Sequence, residues 1–137
     1  MADEINLNDA LARKAAADLL IDRTAKELQQ SLRASAAQLA PFPHFPEGTT
    51  EAIEAEPGGA AKADVGCIVV CPDGELYEYT MALDFSSETG TVEKREDLRE
   101  VRLRPQDYIA YAYNALYEVT RILVERSEGK VLPMSSV

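Results

Sequence analysis

The sequence predicts an α+β domain: a long N-terminal helix, an antiparallel β-hairpin or three-stranded sheet, and a C-terminal helix packed on that sheet. Three observations predict it. Asn8 to Ala40 contains neither Pro nor Gly and is rich in Ala, Leu, Lys, Glu and Gln, all good helix formers. The stretch DVGCIVVCPDGELYEYTMALDF, Asp64 to Phe85, places two apolar-patterned runs on either side of a turn sequence. Pro105 then opens a second helical pattern. The boundaries this implies are helix over 1–40, connector over 41–63, sheet over 64–104, helix over 105–128 and tail over 129–137.

In the first helix, Asn6 or Asn8 can cap a start near Asp9, where an acidic residue suits the helix dipole. Ile21, Ala25, Leu28, Leu32, Ala36 and Leu39 recur at steps of three and four and make one apolar stripe. Arg23, Lys26, Glu27, Gln30 and Arg33 lie off it. At ~1.5 Å per residue the helix would reach roughly 45 Å, longer than a sheet of short strands covers. The excess predicts either packing against a second copy or a break near Asp22.

Pro41 ends the helix. PFPHFPEG follows, its prolines favouring extended backbone and Phe42 and Phe45 ready to tuck onto the core or into a partner groove. TTEAIEAEPGGAAKAD is acidic, then Gly- and Ala-rich, so residues 41–63 read as a mobile connector.

Val65 to Cys71 is apolar on both faces, which predicts a central strand covered on both sides. Tyr77, Tyr79, Met81, Leu83 and Phe85 share one face of the next strand; Glu78, Thr80, Ala82 and Asp84 share the other. Pro72-Asp73-Gly74 supplies the turn. A third strand is expected within Val92 to Arg104, where Val101 and Leu103 alternate with charged residues, although the same residues fit a charged helix. A hairpin alone is marginal, a physical reason to want a third strand and a covering helix. The C-terminal helix is expected to stop before Gly129. Its core stripe is Ile109, Ala112, Leu116, Val119 and Leu123; Tyr108, Tyr113, Ala115, Ile122 and Val124 widen the apolar arc beyond what one sheet face requires.

The net charge of -10 over 137 residues opposes nonspecific binding to nucleic acid or anionic membrane and suits a basic partner. No apolar run approaches the ~20 residues needed to span a bilayer. The acidic N-terminus has no secretory pattern, and with two cysteines the expected location is cytoplasmic.

No catalytic residue, cofactor site or metal-ligand set is predicted. Cys67 and Cys71 on one strand stand about 13 Å apart at ~3.3 Å per residue. That is too far for a disulfide or a shared zinc ion, so both are read as small core residues. His44 is the sole histidine. Asp73 is read as a turn residue, Glu78 and Asp84 as a solvated strand face, and Gly58-Gly59 is not placed as a phosphate loop.

These features predict a non-enzymatic protein-protein interaction protein, an adaptor, chaperone or assembly factor, acting as a homodimer. The expected interface residues are Leu28, Leu32, Leu39, Phe42, Phe45, Tyr108 and Ile122. The alternative is a binding module for a small apolar or aromatic ligand, held in a pocket between sheet and C-terminal helix lined by Tyr77, Tyr79 and Tyr113.

Overall fold

The computed structural model describes residues 6–57, 66–85 and 88–135, with side chains to residue 129. Its elements in chain order are α1 (Leu7–Gln38), β1 (Ile53–Glu54), β2 (Cys67–Val70), β3 (Leu76–Asp84), β4 (Glu93–Glu100) and α2 (Pro105–Ser135). The α+β class and the helix–sheet–helix order are as the sequence predicts.

Asn6 caps α1, its Oδ1 accepting from the Asp9 amide at 3.2 Å. The helix is continuous through Asp22 and ends three residues before Pro41, whose peptide bond to Ala40 is cis. Its predicted stripe faces the core: Leu32, Ala36 and Leu39 are buried, and Ile21, Ala25 and Leu28 partly so. Residues 6–20, by contrast, are exposed on every side.

The sheet is antiparallel with strand order β1-β2-β3-β4, two strands more than the hairpin and one more than the three-stranded sheet expected. The added strand comes from the segment read as a mobile connector. There Ile53 stands opposite Val70 and Glu54 opposite Val69. Residues 43–52 also close on themselves, with Phe45 donating to the Thr50 carbonyl at 2.8 Å and Ala52 to that of Pro43 at 3.1 Å. Residues 58–63 of the connector lie outside the described residues. The strand β4 uses the charged run Glu93–Glu100 rather than Val101 and Leu103, which lead into α2 and pack on the core. A strand so rich in charge suits a sheet edge, where charge discourages pairing with another chain.

The central strand β2 is buried throughout, and two hydrophobic clusters cover its faces. On one face Ile53, Ile68, Val70 and Leu76 meet Leu32 and Ala36 of α1, its C-cap Leu39, and Ala112, Ala115 and Val119 of α2. The alanines let the two helices approach closely. Full burial of Leu32, Val69, Val70 and Val119 stabilises by about 1.5–3 kcal/mol each. On the other face Cys67, Val69, Cys71 and Tyr79 pack with Ala52, Phe45, Tyr77 and Met81. The proline-rich segment, not a helix, covers that side.

The turn between β2 and β3 has the predicted chemistry. Gly74 takes φ +78° and donates to the Cys71 carbonyl at 2.8 Å, while Asp73 accepts from the Glu75 amide at 2.9 Å and from the Tyr77 hydroxyl. The helix α2 continues through Gly129 to Ser135 instead of stopping before it, so the expected loose tail is helical over most of its length. A glycine costs a helix only ~1 kcal/mol and does not by itself end one.

Candidate functional site

None of the seven expected interface residues is exposed. Leu32, Leu39 and Phe42 are 0%, 3% and 5% accessible within the chain's own core. Leu28, Tyr108 and Ile122 are partly buried against that core, and Phe45 is half-buried with its ring centroid 4.2 Å from that of Tyr79. The three tyrosines of the alternative pocket are not brought together. Tyr77 and Tyr79 lie on the sheet face away from the helices, Tyr113 on the outer side of α2. The space between sheet and α2 is filled by the aliphatic side chains of the helix-facing cluster.

The exposed apolar surface lies elsewhere. Leu7, Leu11, Leu19 and Leu20 stand 55–67% accessible on the first half of α1. Leu7 and Leu11 prolong the core stripe of that helix past the Lys14–Asp18 ion pair (2.7 Å), whereas Leu19 and Leu20 face away from it. On α2, Tyr113, Tyr117 and Val124 are 64%, 57% and 55% accessible and share one outward stripe.

A carboxylate holds the proline-rich segment over the sheet. Glu96 of β4 accepts from the Thr49 amide (2.7 Å) and hydroxyl (2.8 Å), the Thr50 amide (3.0 Å) and the Tyr79 hydroxyl (2.7 Å). These donors, the Thr49 amide foremost, hold its carboxyl far below the ordinary carboxylate range. Tyr79 responds in the opposite sense: burial and its bond to Glu96 push its phenol up. Nearby, Lys94 donates to the Glu47 carbonyl at 2.9 Å. Gly48 sits so close that a Cβ there would run into the Glu96 carboxylate. The arrangement is a latch between segment and sheet.

The two cysteines are free and buried in the cluster beneath this segment. Burial first, and nearby carboxylates second, push the Cys67 thiol up to about 11 and that of Cys71 to about 12. Both are protonated at neutral pH and poor nucleophiles. His44 is exposed, its Nδ1 2.8 Å from the Thr49 carbonyl. Among the described residues no group of three or more His, Cys, Asp or Glu is placed to hold a metal ion, and no helix is long and apolar enough to cross a membrane.

A cleft of about 570 Å³ lies beside the edge strand β1. One wall is the base of the proline-rich segment, with Pro43, His44 and Pro46. The floor is Ile53, Glu54 and Glu56. The other wall is α2, through Asn114, Glu118, Arg121 and Ile122. Asn114 donates to the Glu56 carbonyl at 3.1 Å, tying helix to floor, and Glu56 accepts from the Ile68 amide at 2.8 Å. Arg121 is engaged by Glu118 (2.9 Å) and Glu125 (2.7 Å). The sequence expectation missed this cleft because it placed Glu54 and Glu56 in a connector. The signal present was the narrow polar stripe of α2, Asp107, Asn114, Glu118, Arg121 and Glu125, whose period faces it away from Ile109, Ala112, Leu116, Val119 and Leu123.

No family model, curated protein or solved structure matches the chain.

Proposed function

We propose that this is a non-enzymatic protein-protein interaction protein of the adaptor, chaperone or assembly-factor kind, working as a cytoplasmic homodimer. One observation supports the reading: two exposed helical surfaces bearing apolar side chains, residues 6–20 of α1 and the Tyr113–Tyr117–Val124 stripe of α2, have no cover among the described residues. At ~1.5 Å per residue the exposed part of α1 is about 20 Å long and the stripe about 17 Å. The two match in length, so the arm of each copy fits the stripe of its partner in a reciprocal twofold arrangement. Apolar area covered in this way contributes ~25 cal/mol per Å². The proposed interface thus keeps both long helices but uses their outer residues in place of Leu32, Leu39 and Phe42.

Sedimentation at micromolar concentration tests it. The expected mass is twice 15.0 kDa, falling to the monomer value in Leu11→Glu/Leu19→Glu and in Tyr117→Glu, each with its far-ultraviolet spectrum retained. A monomer mass for the native chain at every salt concentration overturns the dimer.

A further inference from the structure

We infer that the cleft between β1 and α2 docks an extended lysine- or arginine-rich segment of a partner protein. This deepens the reading of the chain as an interaction protein and does not depend on the dimer. The first argument is the backbone. In this sheet β1 is the outermost strand on its side. Ile53 stands opposite Val70, and the Ala55 amide donates to the Ile68 carbonyl at 2.8 Å, so residues 53 and 55 turn their polar groups toward β2. By the alternation of an antiparallel ladder, the N–H and C=O of Glu54 point outward, into the cleft. Farther along the edge, the Ala52 amide donates to the Pro43 carbonyl and the Glu56 carbonyl accepts from Asn114. An extended chain laid beside Glu54 would gain one donor and one acceptor, which is strand addition at an edge.

The second argument is charge. Glu54, Glu56 and Glu118 line the cleft, and the opposing cation, Arg121, is already shared between Glu118 and Glu125. The chain as a whole carries -10. Cationic side chains are therefore attracted and anionic ones repelled. The third is shape. About 570 Å³ falls within the usual range of binding clefts, roughly 300–1,000 Å³. Ile53, Ile122, Pro43 and Pro46 offer apolar surface on which lysine or arginine stems can lie while their heads reach the carboxylates.

The test uses the full chain and a fluorescein-labelled octapeptide of alternating lysine and valine, read by anisotropy, with the glutamate–valine octapeptide as control. The lysine peptide is expected to bind saturably and the glutamate peptide not at all. Removing two carboxylates, in Glu54→Gln/Glu118→Gln, should weaken binding about tenfold. Glu54→Pro, which deletes an outward donor without breaking the ladder to β2, should weaken it about fivefold more than Glu54→Gln. Should the proline variant lose its fold, amide shifts of the native protein decide: changes at Glu54 and the Asn114 side chain support the cleft. Equal binding of the acidic peptide, indifference to the glutamine substitutions, or shifts confined to α1 overturn it. A dimer that fails to bind the lysine peptide removes the cleft alone, and a monomer that binds it removes the dimer alone.

Discussion

Glu96 shows how much one side chain can decide here. Its carboxylate receives bonds from Thr49, Thr50 and Tyr79, and so ties residues from two distant parts of the chain. Its folded pKa is depressed, so its contribution to stability is fully present above the unfolded value of about 4.3 and is lost as pH falls toward the depressed one. Glu96→Gln should cost about 1–2 kcal/mol at pH 7, after allowing for solvent screening of a partly exposed group. Urea titrations from pH 7 to pH 3 should show the gap between native chain and variant closing with acid. A gap that stays constant would mean the carboxylate charge contributes nothing. The cysteines carry the opposite sign. Their folded pKa values, about 11 and about 12, lie above the unfolded value of roughly 8.5, so their contribution holds below that pH and is lost as pH rises through the folded values. In native buffer at pH 8 both thiols should react with Ellman's reagent only at the rate of opening, and at once in denaturant.

Gly74 links residue to element. Its φ of +78° suits glycine, and an added Cβ would meet the Arg33 backbone at 2.5 Å. The β2–β3 turn is docked against α1, where Arg33 also pairs with Glu75. Gly74→Ala should therefore destabilise by more than the ~1 kcal/mol expected of strain alone, as read from the urea midpoint.

At the scale of the element, α1 is one helix with two environments. From Ile21 onward it belongs to the core; before that it is exposed on all sides. Residues 7–20 extend a helix already nucleated by its buried half, so they are held by propagation and propensity rather than by packing. Leu32→Ala should cost about 2.7–5 kcal/mol, as for other fully buried leucines. Leu11→Ala should cost a few tenths in a chain diluted to monomer, and measurably more where the arm is covered. Hydrogen exchange on residues 7–20 that slows with protein concentration checks the same point.

At the scale of the molecule, charge and apolar surface oppose each other. A chain of net charge -10 resists meeting a second copy, and salt shortens the reach of that repulsion from ~10 Å at 0.1 M to ~3 Å at 1 M. The proposed dimer should therefore tighten from 0.05 to 0.5 M sodium chloride, followed by sedimentation. Cleft binding of the lysine peptide should weaken over the same range. Opposite salt slopes for the two events would separate the surfaces within one sample.

What the sequence determined is what depends on neighbours along the chain. Helix propensity and the stripe from Ile21 to Leu39 placed α1. An unbroken apolar run placed β2, alternation placed β3, because side-chain direction repeats every second residue whatever lies opposite, and Pro72-Asp73-Gly74 placed the turn. What only the tertiary structure decided depends on groups far apart in sequence. Ile53 and Glu54 form a strand because β2 offers them a free edge, not because two residues carry a strand pattern. The charged run Glu93–Glu100 is a strand because β3 pairs with it along its length, overriding a composition that fits a helix equally well. Leu32, Leu39 and Phe42 left the expected interface because α2 and the sheet close over them. The cleft has the same origin. Glu54, Asn114 and Glu118 meet only through packing of helix against edge strand, and local periodicity says which way a side chain points but not what it will face.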